Sequence, residues 1–324
     1  MATTKRPRTL DSFFSPPPSK KIKADPQDTP VSDTLAEPRQ YSVHPTYPFN
    51  IAQLPAEIIA ILNFAPAAEP TIMNSQPDLD LLYYQPYIPK DVWSPLFDFL
   101  RRELPFYRVK YTIKRGPTET LINTPRFTTV FGLDETARFS PTGVVVDATS
   151  GKPCGQTSYR CRPRPIPECI DVLRRLTEAS TGCTFNFALV NYYATGSDSI
   201  SYHSDDERFL GTDPAIASFT LGAKRDFLLK HKPTEAKHES EVKAIKLPLA
   251  SGGMILMKGR TQSNWLHSIP KRKGGDADKG RINITFRRAM VKGGTENYYR
   301  YNVGEGGVHR WNEARGEMVE ETGK

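Results

Sequence analysis

RINITFR, residues 281–287, alternates without a break: Arg281, Asn283, Thr285 and Arg287 fall on one face of an extended strand and Ile282, Ile284 and Phe286 on the other. The apolar face belongs in a core. The polar face carries two guanidinium groups, which inside a β-protein call for an anionic partner, because a buried charge is costly unless it is paired. Six more runs rich in β-branched and aromatic residues lead up to this strand, at 185–193, 200–203, 216–221, 225–231, 242–247 and 254–257, with turn residues between them. Seven runs at this spacing predict a sandwich or barrel. Further strand-like runs lie at 107–114 and 126–131. Helices are expected ahead of the strands and not between them. One is at 91–103, where Val92, Leu96, Phe99 and Leu100 come near helical spacing; the other is at 167–180, opened by Pro167 and carrying Ile170, Leu173 and Leu176 on one side. The expected fold is mainly β with flanking helices (α+β), its core an antiparallel jelly roll.

The chemistry-bearing residues sit on or beside these strands. In Ser201-Tyr202-His203-Ser204-Asp205 the histidine and aspartate are two apart, so on a strand both leave the same face. A second histidine, His267, follows in Asn264-Trp265-Leu266-His267, in another plausible strand. Two histidines and one carboxylate form a facial triad that holds Fe(II) on one side and leaves positions open for a bidentate 2-oxo acid and for O2. A structural zinc site would instead fill its ligand set with protein. The arginine face of 281–287 then reads as the wall of a pocket for a dianion. The 185–193 run ends with Asn191 and Tyr193 on one face, an amide and a phenol offered to the same cosubstrate.

The chain has 324 residues, a net charge of +8 and a hydrophobic content of 38%, low but enough for one sizeable core alongside an unfolded extension. The positive balance favours a polyanionic partner. The four cysteines, Cys154, Cys161, Cys169 and Cys183, lack the paired spacings of a zinc knuckle or redox site and read as free thiols in a reducing compartment. No run approaches the roughly 20 apolar residues of a membrane helix, and no secretory signal is evident, so a nuclear or cytosolic protein is expected. Four segments are predicted. Residues 1–48 form a disordered basic tail. Residues 49–104 form a linker and N-terminal helical region, 105–290 the catalytic domain and 291–324 a C-terminal tail with no functional reading. Within the first tail, basic clusters at 5–8 and 20–23 suggest nuclear localisation or nucleic-acid contact. Between them, Leu10, Phe13 and Phe14 resemble the box that binds the sliding clamp PCNA, with Pro7 where a glutamine normally opens it.

His203-Ser204-Asp205-Asp206-Glu207, Ile216-Ala217-Ser218, Gly222-Ala223-Lys224-Arg225, Trp265-Leu266-His267 and RINITFR, in this order and spacing, resemble the eukaryotic homologue 2 and 3 branch of the AlkB family over roughly residues 105–290. The resemblance implies a double-stranded β-helix and the oxidative dealkylation of bases such as 1-methyladenine and 3-methylcytosine in DNA. Fe(II), 2-oxoglutarate and O2 would be consumed to give succinate, CO2 and formaldehyde. It assigns His203, Asp205 and His267 to iron, Arg281 and Arg287 to the 2-oxoglutarate carboxylates, and Asn191, Tyr193, Asn283 and Thr285 to its pocket. For substrate it implies that Asp206 accepts a hydrogen bond from the base's exocyclic amine, with Glu207 beside it, and that Arg126 and Tyr159 belong to the nucleotide-recognition lid. Lys224 and Arg225, with Lys230–Lys232 and Lys271–Lys273, would grip phosphates. Lys114-Arg115-Gly116 stands where homologue 2 carries an apolar finger, which leans toward homologue 3 behaviour. A monomer is expected. The residues leave open an oxygenase of the same fold acting on RNA or protein, and a noncatalytic clamp- or DNA-binding adaptor.

Overall fold

The computed structural model describes residues 39–115, 118–155, 157–233, 242–304 and 306–321. The basic clusters and the Leu10, Phe13, Phe14 motif lie outside the described residues. Two antiparallel sheets dominate. We number their strands β1 (Thr71–Met73), β2 (Leu81–Tyr84), β3 (Phe106–Tyr107), β4 (Phe127–Gly132), β5 (Phe187–Tyr193), β6 (Ile200–His203), β7 (Ile216–Gly222), β8 (Arg225–His231), β9 (Ile245–Leu249), β10 (Met254–Met257), β11 (Trp265–Ile269), β12 (Arg281–Arg287), β13 (Val308–Asn312) and β14 (Glu317–Glu320). The larger sheet runs β14-β13-β3-β4-β5-β12-β7-β10-β2-β1 and the smaller β6-β11-β8-β9. From β5 to β12 the chain crosses between the sheets at every connection but the β8–β9 hairpin, which is the jelly roll expected from the seven runs.

Burial follows the alternation of each strand. On β12, Ile282, Ile284 and Phe286 face outward onto the helices α1 (Trp93–Glu103) and α2 (Glu168–Thr181), in one apolar cluster with Phe97, Leu100, Ile170 and Leu173. Each such side chain contributes roughly 1.5–3 kcal/mol on burial. The second cluster lies between the sheets and includes Leu189, Phe227, Leu229, Met257, Trp265 and Ile269. The polar face of β12 looks into that space, so the alternation of this one strand assigns the helices to one side of the sheet and the site to the other.

Four expectations are corrected. Residues 39–48 do not belong to a disordered tail: Tyr41–Ser42 pairs antiparallel with Ile51–Ala52, and Tyr47 is buried with its hydroxyl donating to the Pro165 carbonyl at 2.6 Å. The run at 242–247 becomes β9 at 245–249, because Leu247 and Leu249 are the inward-facing pair and Pro248, on the edge strand of the smaller sheet, costs no interior ladder bond. Residues 49–104 are not a linker: β1 and β2 extend the larger sheet beyond β10, with Leu82 opposite Leu256. Nor are residues 291–324 a tail. Helix α3 (Lys292–Asn302) is followed by the β13–β14 hairpin, which pairs with β3 at the other edge of the sheet. The sequence signal was weak in both segments because short strands at a sheet edge carry too few residues to display a period. Among the described residues no helix is long and apolar enough to cross a membrane, and Cys154, Cys169 and Cys183 are free thiols.

Candidate active site

Strands β6 and β11 pair antiparallel with His203 directly opposite His267. The two imidazole centroids are 4.2 Å apart. Just past the end of β6 the chain turns inward and buries Asp205, whose backbone N–H donates to Gln262 Oε1 at 2.9 Å. Gln262 is itself fully buried and donates to Met257 Sδ, so a side chain that the sequence did not single out sets the depth of Asp205. One ligand atom each from His203, Asp205 and His267 lies within 4.8 Å of the other two, and among the described residues no other His, Cys, Asp or Glu group is arranged in this way.

The protonation of these groups suits a metal. His203 Nδ1 lies 2.8 Å from the Ser201 carbonyl. A carbonyl can only accept, so Nδ1 carries the hydrogen and Nε2 is the nitrogen that can bind a metal. Burial pushes His267 down to about 3, with the neighbouring His203 and Arg287 adding to the effect against the opposing pull of Asp205, so its imidazole is neutral at ordinary pH. Burial alone would raise the Asp205 carboxyl, but Arg287 and the two imidazoles outweigh it and hold the group at about 2. A carboxylate and two imidazoles are the donor set of a hard-to-borderline divalent ion.

The triad opens on a cavity of about 470 Å³ between the sheets. At one end of β12, Arg287 Nη2 donates to Asp205 Oδ2 at 3.0 Å and Nη1 to Thr285 Oγ1 at 2.8 Å. At the other end Arg281, 1% exposed, donates from Nη2 to Thr220 Oγ1 at 2.8 Å, while its Nε and Nη1 have no partner. Burial lowers this guanidinium to about 10, with Tyr193 pulling it up and Arg225 pushing it down. Two orphaned charged donors on a guanidinium that lines the cavity are what a small carboxylate would satisfy. Register does the rest: Tyr193 is opposite Arg281, Asn191 opposite Asn283 and Leu189 opposite Thr285. Asn283 donates to Ser218 Oγ and the Phe219 carbonyl, and Thr285 to the Leu189 carbonyl, so both are held in place.

The other expected contacts divide. Arg126 lines the cavity and donates from Nε to Asn191 Oδ1 at 3.0 Å. Glu207 lines it too and accepts a hydrogen bond from Tyr298 Oη at 3.0 Å. Asp206 does not: it faces solvent and pairs with Lys232 Nζ at 2.6 Å. Tyr159 is also displaced from the site. It is buried in a separate cluster with Leu133 and Ala137, where its hydroxyl donates to Asp134 at 3.1 Å. Arg225 is fully buried and donates to the Asp198 and Pro270 carbonyls, so it braces loops and is not available to grip phosphate. Lys224 is exposed outside the cavity. Alternation places a cation next to β8 equally well in either role, and only the three-dimensional contacts separate Lys224 from Arg225.

One wall was missed. Helix α3 contributes Asn297, Tyr298 and Tyr301 to the cavity. It approaches so closely that a Cβ added at Gly294 would come within 1.9 Å of Phe209 Cγ, so only glycine fits there. The signal available was Gly293-Gly294 ahead of the aromatic run Tyr298-Tyr299, a close approach followed by a stacking surface.

Residues 114–287 match the 2OG-Fe(II) oxygenase superfamily. The chain is 41% identical over 130 residues to the human protein named DNA oxidative demethylase ALKBH2, covering 40% of this chain and 49% of that one. It is 32% identical over 227 residues to the Arabidopsis thaliana protein of the same name, covering 65% and 67%. To human alpha-ketoglutarate-dependent dioxygenase alkB homolog 3 it is 38% identical over 159 residues, covering 45% and 55%. The matched part thus spans about half the length of the human relatives.

Proposed function

Because the chain belongs to the 2OG-Fe(II) oxygenase superfamily, within its AlkB group, we propose that it removes alkyl groups oxidatively from nucleobases in DNA, 1-methyladenine and 3-methylcytosine among them. The observation that carries this reading is the convergence of His203, Asp205 and His267 on one wall of a cavity in which Arg281 presents two unpartnered donors. His203, Asp205 and His267 would hold Fe(II), which with 2-oxoglutarate and O2 supplies oxidation of the N-alkyl carbon, so that a methyl group leaves as formaldehyde.

The chain's own groups do the positioning. Arg287 orients the Asp205 carboxylate, and Arg281 takes the distal carboxylate of the 2-oxo acid beside Tyr193, Asn191, Asn283 and Thr285. Phe227, Leu249 and Ile269 give the cavity an apolar wall. Glu207, held by Tyr298, is better placed than Asp206 to accept a hydrogen bond from the exocyclic amine of a base, because it faces the cavity. A paired base must leave its stack to reach this depth. No side-chain nucleophile is needed.

The test is formaldehyde release from a DNA oligonucleotide bearing 3-methylcytosine, beside the same lesion in RNA and a methylated peptide, with iron or 2-oxoglutarate withheld in turn. We expect strict dependence on both and no product from a His203→Ala variant. Turnover on the peptide alone would overturn the reading. We further propose that the protein acts as a nuclear monomer. The basic clusters would direct it to the nucleus, and Leu10, Phe13 and Phe14 would engage PCNA; a pull-down that is unchanged in the Phe13→Ala, Phe14→Ala double variant would dismiss the clamp.

A further inference from the structure

The segment Arg160-Cys161-Arg162-Pro163-Arg164-Pro165 places an arginine at every second position, and its two prolines hold the backbone extended. It forms neither helix nor strand. Alternate side chains of an extended chain project to one side about 6.6 Å apart, and Arg160, Arg162 and Arg164 all line a second cleft, of about 610 Å³. Helix α3 forms the opposite wall and adds Arg300 and Glu296. Four guanidiniums therefore surround the cleft against one carboxylate. That carboxylate is engaged, since Glu296 Oε1 accepts from the Arg160 backbone N–H at 2.6 Å and ties the two walls together.

Arg164 is the fixed floor of this cleft. It is 3% exposed, donates to Thr129 Oγ1 at 3.0 Å and the Val130 carbonyl at 2.6 Å, and stacks over Phe131 at 4.8 Å. Its Nε has no partner. Arg160, Arg162 and Arg300 are exposed around it. Asn297 lines both this cleft and the active-site cavity, so α3 is the partition between them. With its side chains a helix is about 10–12 Å across, a span that one or two nucleotides of a single strand cover.

We propose that this cleft holds backbone phosphates of the nucleic-acid strand, next to the nucleotide whose base enters the cavity. The inference rests on the nucleic-acid reading above and adds where the flanking strand runs. Guanidiniums repeated at alternate positions match a repeating row of phosphates, and such contacts grip without reading sequence. They also explain why an arginine-rich segment outside the active-site cavity lies against the same helix that walls it.

The test uses the full chain and a triple variant, Arg160→Ala, Arg162→Ala and Arg300→Ala, which leaves Arg164 and the cavity intact. Binding of an unmodified, fluorescently labelled single-stranded oligonucleotide is followed by anisotropy across a salt series. Three lost phosphate contacts should make the slope of log K against log salt shallower by about 2 and weaken binding roughly 10- to 100-fold at low salt. KM for a lesion-bearing oligonucleotide should rise in step, while turnover of a methylated mononucleotide, too short to reach the cleft, stays unchanged. Equal slopes in wild type and variant would overturn the proposal and leave the catalytic reading standing. Inorganic phosphate competing with an affinity equal to the strand's would overturn it in favour of a small-anion site. A wild type that turns over neither substrate would remove the reading on which it rests.

Discussion

An Asp205→Ala variant is expected to lose turnover completely and to be less stable by about 3–5 kcal/mol, the cost of removing one partner from a buried ion pair. Asp205 is 4% exposed and Arg287 3%. Their contact at 3.0 Å is the only ion pair among the described residues that joins the triad to β12. Deleting the carboxylate leaves a guanidinium that is 3% exposed without the anion it contacts, and its Nε already lacks a partner. The two losses have different origins and can be separated. Replacing the pair together, Asp205→Leu with Arg287→Met, should recover most of the stability, because the uncompensated charge is gone, and none of the activity, because iron would lose the only anionic ligand that the protein supplies. Urea denaturation read beside iron titration distinguishes them. An Asp205→Ala chain with wild-type stability and iron affinity would show that the aspartate is neither ligand nor counterion.

How much of this was visible beforehand depends on whether the signal was local. The alternation of 281–287 is local, and it placed Arg281, Asn283, Thr285 and Arg287 on the site side of the sheet and three apolar residues against the helices. The spacing of His203 and Asp205 is local too. The direct pairing of His203 with His267 is not, because it depends on which strand pairs with β6 and in what register, and both follow from tertiary packing. The same limit explains the misplaced residues. Asp206 and Glu207 are adjacent acids of similar character; the turn after β6 sends one to Lys232 and the other into the cavity. Lys224 and Arg225 are adjacent cations, and pairing of β8 with β9 and β11 buries the second. Tyr159 satisfies its hydroxyl on Asp134, a partner that no periodicity announces. The wall formed by α3 was hidden because a glycine-rich, polar helix has little apolar stripe to detect.

Arg281 should respond to substitution in the opposite sense to Asp205. It is a buried cation without an anion, held by one hydroxyl and lowered by burial to about 10. Replacing it with methionine removes an uncompensated charge, so the chain without cosubstrate should be as stable as wild type or more stable, by as much as about 1–4 kcal/mol. Cosubstrate binding should fall sharply. Each hydrogen bond from a charged donor is worth about 1.5–3 kcal/mol, so losing two weakens 2-oxoglutarate by roughly 100- to 10,000-fold. The thermal stabilisation that wild type gains from added 2-oxoglutarate, which follows from binding the folded state alone, should vanish in the variant. Arg281→Lys should fall between them, since an ammonium keeps the charge and forfeits the two-pronged geometry. A melting temperature that still rises with 2-oxoglutarate in Arg281→Met as it does in wild type would place the anion elsewhere in the cavity. The joint outcome, stability kept or gained while ligand response is lost, separates a residue retained for its ligand from one retained for the fold, and a general packing defect cannot imitate it.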